Sequence, residues 1–224
     1  MTIQDAISQV NQFKRGALTQ TIASIESCLT QAGIARVHAA NRSFGIAHEL
    51  LIAAAAVKQA NAQIDVVIHA VGILYALPFI LQEDEVVECL SLGAGSASSE
   101  FDLVTNRSVA EFKFQVWRAK GNSQRQKELF EDFYKLARAE TEREKVLYLL
   151  NIRTPLRFLQ GKSQARRLLD KNKGLAQDFE ARYGDTYRTV GEYYAAHKGD
   201  IRIVNLVDAV PGFDDFLRLF ERTG

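Results

Sequence analysis

Cysteine is scarce in this chain of 224 residues, and its placement excludes two kinds of stabilisation. The two cysteines, Cys28 and Cys89, are far apart in sequence and lie in no CxxC or Cys/His cluster. Two such residues form neither a disulfide framework nor a zinc site. We therefore expect them to be buried thiols in a protein of the reducing cytoplasm.

An excess of charge of either sign is also missing. The chain has 28 Lys and Arg residues against 27 Asp and Glu residues, which gives a net charge of +1. A chain of this kind has no overall field that would hold a polyanion. Any binding of nucleic acid must therefore come from local basic clusters.

Signals for export and for a membrane span are absent from the sequence pattern. Residues 1–16 carry polar residues along their whole length and lack the basic-then-apolar order of an export signal. The most apolar stretch, Val66–Leu81, is shorter than a bilayer requires. It is also interrupted by His69, Gly72 and Pro78. The pattern predicts a buried helix that ends near Pro78, and no membrane segment.

Motifs that identify several common enzyme classes are missing as well. Gly93–Ser96 lacks the order of a serine hydrolase's nucleophile elbow. The same segment has neither the lysine of a phosphate-binding P-loop nor the spacing of a dinucleotide-binding loop. His48 and His69 lie in apolar helical sequence, which favours a core or capping role over metal ligation.

Helical spacing of apolar residues dominates the first third of the chain. Residues 3–32 predict one or two amphipathic helices. After Gly33, two further helices are expected, at Ser43–Gln59 and Asp65–Leu77. The first third is therefore predicted to be mostly helical.

Short strand-like runs follow. Glu85–Leu92 and Phe101–Val104 are rich in β-forming residues and are separated by turn formers. Ala110–Trp117 alternates strictly between polar and apolar residues, which is the period of a strand with two different faces. Lys145–Leu150 is an apolar run of the kind expected in a sheet covered on both faces. Ile201–Val207 is predicted to add a last edge strand.

The remaining helices are placed between and after these strands. Asn122–Glu140 carries Leu129, Phe133 and Leu136 on one side and is predicted to be helical. A basic helical region follows the strand 145–150, and Gly212–Arg222 is predicted as a closing helix.

The order of elements in residues 43–151 is helix, three strands, helix, strand. This order predicts an α/β fold, with a mixed sheet and helices on both of its faces. Residues 43–224 are expected to form one compact domain. Residues 1–42 are expected to be an N-terminal helical extension packed on it.

One hairpin brings acidic residues together. Asn106 and Arg107 separate two predicted strands, and a tight loop centred there pairs positions whose numbers sum to 213. Asp102 then faces Glu111, with Cβ atoms about 4.5–5.5 Å apart, and two carboxylates at that distance repel each other. A divalent cation such as Mg²⁺ would relieve the repulsion, because it is held by one or two carboxylates together with phosphate oxygens and water.

Strand alternation adds a lysine to this pair. Lys113 and Gln115 share a face with Glu111, whereas Phe112 and Phe114 are directed into the core. In phosphodiester hydrolysis, a lysine at that place would orient the attacking water or stabilise the pentavalent charge.

One motif resembles the signature of the PD-(D/E)xK, or restriction-endonuclease-like, nuclease superfamily. It consists of Asp102, an eight-residue gap and then Glu111-Phe112-Lys113. The predicted order αβββαβ is also similar to the common core of that superfamily over roughly residues 43–151. Phe101 stands where most members have proline.

The resemblance implies a restriction-endonuclease-like fold and a nuclease that depends on Mg²⁺ or Mn²⁺. It implies that Asp102 and Glu111 bind the metal and that Lys113 is the catalytic lysine. Glu49 matches the acidic residue that many members place on the first core helix, and Gln115 is a secondary site residue. Many members pair two sites to cut both strands of DNA, which implies a homodimer.

A simpler explanation needs no chemistry. Any exposed strand can alternate glutamate, apolar, lysine, apolar and glutamine residues. The same register also puts Glu100 opposite Lys113, where a surface ion pair would form. That ion pair leaves the opposition of Asp102 and Glu111 unexplained.

Two basic clusters offer local attraction to phosphate. Trp117–Lys127 has four basic residues and no acid, and Arg153–Lys173 has seven basic residues against Asp170. Such clusters suit a phosphate backbone, and the alternative is a solvated helix face. The candidate nucleic-acid-binding residues are Arg118, Lys120, Arg125, Lys127, Arg153, Arg157, Arg166 and Arg167.

The sequence thus predicts a cytoplasmic, metal-dependent nuclease that acts on DNA through Asp102, Glu111 and Lys113. An inactive module of the same fold that binds nucleic acid or a protein partner is the alternative. A third possibility is a metal-dependent hydrolase of another phosphoester.

Overall fold

A computed structural model of the chain describes residues 1–14, 18–29, 34–92, 100–117 and 122–221. The chain divides into two compact units, Met1–Val67 and Ile68–Gly224. This division lies inside a helix, whereas the sequence pattern put the boundary between residues 42 and 43.

The first unit is helical, as predicted. Its elements are α1 (Ile3–Lys14), α2 (Leu18–Leu29), α3 (Ile34–Phe44) and the first part of α4 (His48–Ile80). The helix predicted at Ser43–Gln59 is interrupted, because Gly45 has a φ of 65°. Glycine adopts this left-handed conformation without steric cost, so α3 ends there.

Helix α4 is longer than the sequence pattern indicated. The two segments predicted at 43–59 and 65–77 join into one helix, and Pro78 lies within its last turn. The residues between these segments are two alanines, an asparagine, a glutamine and an isoleucine, none of which breaks a helix. Within the described ranges, α4 is the one helix long and apolar enough to cross a bilayer by length and composition, a test that core helices also pass.

The cysteine prediction was wrong in one respect. Cys28 and Cys89 are free thiols, but both are half-buried rather than buried. A cytoplasmic location stays a prediction.

The second unit contains a sheet of five strands in the order β1-β2-β3-β4-β5. The first three strands pair antiparallel and the last three pair parallel, which makes the sheet mixed. The predicted strand at the far edge is confirmed as β5. The strands are β1 (Val87–Leu90), β2 (Leu103–Thr105), β3 (Ser108–Lys113), β4 (Glu144–Leu149) and β5 (Ile201–Asn205).

Helices cover both faces of the sheet, as predicted. The order from α4 to β4 is helix, three strands, helix, strand, with α5 (Ser123–Arg138) as the second helix. Strand β4 is buried on both faces from Val146 onward, which explains its apolar sequence. The later helices are α6 (Arg153–Leu159), α7 (Ala165–Leu169), α8 (Lys173–Tyr183), α9 (Val190–His197), α10 (Leu206–Ala209) and α11 (Phe213–Glu221).

Two hydrophobic clusters hold these layers together. On one face, Ile73 and Ala76 of α4 pack with Phe112, Phe114 and Tyr148. The Phe112 ring stacks on Tyr148 with centroids 4.6 Å apart. On the other face, α5 and the later helices pack against alternate residues of the same strands. The members there include Val109, Leu129, Phe133, Leu147, Phe179 and Tyr193. The alternation inferred for this strand is therefore confirmed as far as Lys113, where β3 ends, whereas the prediction extended the strand to Trp117.

Gly72 allows α4 to approach the sheet closely. A Cβ at Gly72 would lie 2.6 Å from Cε1 of Phe114, which is itself buried. Alanine normally stabilises a helix interior by about 0.5–1 kcal/mol relative to glycine. The contact with Phe114 reverses that sign here, because overpacking a core costs about 1–3 kcal/mol.

We therefore expect Gly72→Ala to lower the free energy of unfolding by about 1–3 kcal/mol. Urea denaturation followed by circular dichroism measures the change. Gly199→Ala is the control, because a Cβ at Gly199 would meet nothing within 4 Å. A Gly72→Ala protein as stable as the wild type would contradict the close approach of α4.

Candidate active site

A two-residue loop, Asn106 and Arg107, joins β2 to β3. Leu103 pairs with Ala110 and Val104 with Val109, which is the register predicted from the sequence. The next position in this register sets Asp102 opposite Glu111. The register inferred from the turn is therefore confirmed for the two pairs of the ladder, and Asp102 and Glu111 are the residues that directly follow its last pair.

Side chains before and within the loop fix this register. The Thr105 hydroxyl oxygen accepts hydrogen bonds from the backbone N–H groups of Arg107 (3.1 Å) and Ser108 (2.8 Å). That hydroxyl also donates to Glu85 Oε1, and the Asn106 side-chain oxygen accepts from the Val86 N–H at 2.8 Å. The segment that leads into β1 thus holds the turn, and a slip in register would break all these bonds.

Asp102 is held at the end of β2 by two groups. The backbone N–H of Phe112 donates to its Oδ2 at 2.9 Å, and His69 Nε2 of α4 lies 3.3 Å from its Oδ1. Burial acts to raise the pKa of Asp102, but the contacts with His69, Phe112 and Lys113 outweigh it and lower that pKa. Asp102 therefore carries a negative charge at neutral pH.

Glu111 has the opposite electrostatic character. Its side chain is buried, with 4% of the residue exposed. Burial raises the pKa of Glu111 to about 10, and the neighbouring carboxylates of Asp132 and Asp102 act in the same direction. Lys135 and Lys113 lower this pKa only in part. Without a further cation, Glu111 is protonated at neutral pH.

Lys113 is paired with an acid that the sequence did not reveal. Its Nζ contacts Asp132 Oδ2 on α5. Burial alone would lower the pKa of Lys113, but the Asp132 and Glu111 carboxyl groups raise it, so the ammonium stays charged. The alternative partner, Glu100, instead contacts Arg138. The simple surface ion pair between Glu100 and Lys113 is thus not formed.

Alternate residues of β3 and of the segment that directly follows it meet one face of α5. Gln115 Nε2 donates to Glu128 Oε2 at 2.6 Å, and Lys113 contacts Asp132. Glu111 Oε1 lies 3.7 Å from Lys135 Nζ, completing three side-chain pairs. The helix positions 128, 132 and 135 recur at the spacing of one helical face.

Glu49 is the predicted site residue that belongs to the first unit of the chain. It lies in the first turn of α4, in the first unit, where it lines a cavity of about 660 Å³ with Asp5, Gln12 and His48. The α4 residue that reaches Asp102 is His69. A role for Glu49 as a metal ligand stays a prediction.

Most of the candidate nucleic-acid-binding residues lie on described helices. Arg125 and Lys127 are in α5, Arg153 and Arg157 are exposed on α6, and Arg166 and Arg167 are exposed on α7. Arg166 is paired with Glu180 at 3.0 Å. Arg118 and Lys120 lie outside the described residues.

The two basic clusters meet in one cavity. A recess of about 460 Å³ is lined by Lys127 of the first cluster and by Lys171 and Lys173 of the second. Glu131 is the acid in its wall. Within the described part of the chain, no ion pair engages any of these three lysines. The recess therefore concentrates positive charge that the linear sequence distributes over two segments.

Sequence reasoning missed His69, Asp132 and Lys135. One signal existed for His69, since it precedes the buried Ile73 by four residues and so shares the face of α4 that meets the sheet. Asp132 and Lys135 gave no comparable signal, because the rotation of α5 about its axis is set by packing.

The donor set of this site fits a hard cation. Asp102, Glu111 and Asp132 supply three carboxyl groups against two ammonium groups, Lys113 and Lys135, so full ionisation leaves a negative excess. Among the described residues, no group of three or more His, Cys, Asp or Glu side chains is arranged to hold a metal ion. A cation would thus depend on Asp102, Glu111, water and substrate oxygens, a set that suits Mg²⁺.

Comparison of the chain with family models, curated proteins and solved structures found no match. The functional argument therefore depends on the geometry of the hairpin and of α5.

The raised pKa of Glu111 makes stability depend on pH. The ordinary pKa is 4.5, so between that value and about 10 the folded metal-free protein binds one more proton than the unfolded chain. The contribution of Glu111 is then lost as pH rises, by up to about 1.4 kcal/mol per pH unit. Relative to wild type, Glu111→Gln should gain stability from about pH 5 to about pH 9, because glutamine does not titrate.

Urea unfolding in the presence of a chelator, at a series of pH values, measures this gain. Glu140→Gln, at an exposed position, is the control and should run parallel to wild type. If Glu111→Gln also ran parallel to wild type, Glu111 would already be ionised in the folded protein.

Proposed function

We propose that this chain is a divalent-metal-dependent nuclease that hydrolyses phosphodiester bonds in DNA. The observation that carries the proposal is the hairpin register, which, extended by one position, sets Asp102 opposite Glu111, with Lys113 two residues further along β3. The choice of DNA and of a homodimer follows the resemblance to PD-(D/E)xK nucleases.

The fold proposed for this activity is restriction-endonuclease-like. The support is a mixed five-stranded sheet with the order αβββαβ from α4 to β4, and with the acidic hairpin at β2 and β3.

Each residue of the site has a definite role in this proposal. A divalent cation held by Asp102 and Glu111 would polarise the phosphorus–oxygen bonds and acidify a bound water. Lys113 would stabilise the negative charge that develops on the phosphoryl oxygens. His69 and the Phe112 N–H leave lone pairs on both Asp102 oxygens, so the carboxylate still accepts further contacts.

The basic recess supplies a path for the rest of the polymer. Lys127, Lys171 and Lys173 line it, and Glu131 in its wall precedes Asp132 of the site. Phosphates flanking the cleaved bond would meet three ammonium groups there. A polynucleotide would therefore bind better than a mononucleotide.

Substitution of the site residues tests the proposal. Wild type should cleave plasmid DNA with Mg²⁺ or Mn²⁺, and each of Asp102→Asn, Glu111→Gln and Lys113→Gln should reduce the rate by about 10²-fold or more, since single electrostatic groups contribute that much. Gel assays of supercoiled plasmid measure the rate.

Asp200→Asn is the control for these variants, because Asp200 lies after α9 and pairs with His197, away from the site. Unchanged cleavage by Asp102→Asn would contradict the assigned site. Turnover of mononucleotide phosphoesters without cleavage of polymers would favour the hydrolase of another phosphoester.

The recess gives a second test that needs no cleavage. Neutralising Lys127, Lys171 and Lys173 together should lower the slope of log affinity against log salt by roughly 2–3 for duplex DNA, since each phosphate contact contributes about 0.9. Fluorescence anisotropy with catalytically inactive protein measures this slope. A variant that neutralises Lys14, Lys58 and Lys198 loses the same charge and should keep the slope.

An inactive nucleic-acid-binding or protein-binding module is the second candidate. One observation favours it, because the Lys113 ammonium is already compensated by Asp132. Strongly salt-dependent DNA binding without any metal-dependent cleavage by wild type would support the module against the nuclease.

A further inference from the structure

Lys113 and Asp132 form an ion pair that is almost completely enclosed. Their side chains are 19% and 7% exposed. Lys113 lies at the last position of β3, and Asp132 lies in the middle of α5. The contact therefore joins the strand that carries the site to the helix that covers it.

Asp132 does not hold Lys113 alone. Its Oδ1 accepts a hydrogen bond from Lys135 Nζ at 3.2 Å, one turn further along α5. Lys135 Nζ also lies 3.7 Å from Glu111 Oε1. The carboxylate of Asp132 thus separates two ammonium groups, each of which is also near Glu111.

The helix that carries Asp132 is itself fixed. Leu129, Phe133 and Leu136 of α5 are each at most 1% exposed in the hydrophobic cluster on this face of the sheet. Lys145 Nζ of β4 donates to the Ala137 carbonyl oxygen at 3.1 Å, which adds a polar anchor at the end of the helix. Asp132 therefore has little freedom to follow a moving lysine.

Stability alone does not account for this pair. A buried ion pair is often no more stabilising than a well-packed apolar pair of the same volume, because both charges lose their hydration. Lysine has four rotatable side-chain bonds, so an unpaired Lys113 would sample many positions. A fixed counter-ion restricts the ammonium to one of them, as a catalytic group requires.

We propose that Asp132 is a positioning residue of the nuclease site and acts by holding the Lys113 ammonium on the face of β3 that it shares with Glu111. This inference rests on the proposed function. Asp132 orients Lys113 and is not a ligand of the cation. Lys135 shares the negative charge of Asp132 and limits how far Asp132 can withdraw Lys113 from the substrate.

A double-mutant cycle isolates an effect transmitted through Lys113. Asp132→Asn keeps the size of the side chain and removes its charge, and we expect kcat for DNA cleavage to fall about 10–100-fold, the scale of a misplaced catalytic group. KM should change less than about threefold, since substrate binding is not the role assigned. In a Lys113→Gln background, Asp132→Asn should change kcat by less than about twofold.

Two further measurements separate positioning from other roles. Mn²⁺ affinity, followed by electron paramagnetic resonance, should be the same in Asp132→Asn and wild type. Asp178→Asn is the control, because Asp178 of α8 is also ion-paired, with Arg138 and Arg182, but lies outside the site. Its kcat should equal that of wild type.

Each outcome decides the inference. Unchanged kcat in Asp132→Asn, losses that simply multiply in the double variant, or weaker Mn²⁺ binding would each overturn it. If Asp132→Asn does not fold, Asp132→Glu keeps the charge but moves it by one methylene, and it should show the same dependence on Lys113. If the wild-type protein cleaves no DNA, the proposed function and this inference are both wrong. If Asp102→Asn loses cleavage but Asp132→Asn has a normal kcat, the inference alone is wrong.

Discussion

Repulsion between carboxyl groups held across neighbouring strands is the constraint on which the site depends. The two-residue turn and its bonds to Thr105 and Asn106 fix the register, so Asp102 and Glu111 cannot move apart by a slip of the strands. The pKa values of the two carboxyl groups shift in opposite directions. Contacts with His69 and Phe112 lower the pKa of Asp102, whereas burial and the neighbouring carboxylates raise the pKa of Glu111.

Helices α4 and α5 contact the residues of the site from opposite faces of the sheet. Helix α4 reaches Asp102 through His69, and the close approach at Gly72 sets its distance from the sheet. Helix α5 contacts β3 and the segment after it through three side-chain pairs, of which the pair of Lys113 and Asp132 is largely buried. Packing on both sides therefore determines which charges the hairpin residues encounter.

The strands, their order and the hairpin register were predictable because they depend on local signals, namely alternation in β3 and the turn at Asn106 and Arg107. The length of α4 was not predictable. The polar residues in its middle suggest a break between two helices, although they are compatible with one continuous helix, and Pro78 lies only in the last turn. Gly45 ends α3 through a positive φ that glycine permits but does not require. Asp132 could not be assigned to the site, because its direction depends on the rotation of α5 against the sheet.

The most direct measurement is the anomalous difference density of a crystal soaked with Mn²⁺. The account predicts a peak between the carboxyl groups of Asp102 and Glu111, with Asp132 still paired to Lys113 and outside the coordination sphere. A crystal that takes up Mn²⁺ elsewhere and leaves the hairpin without density would contradict it.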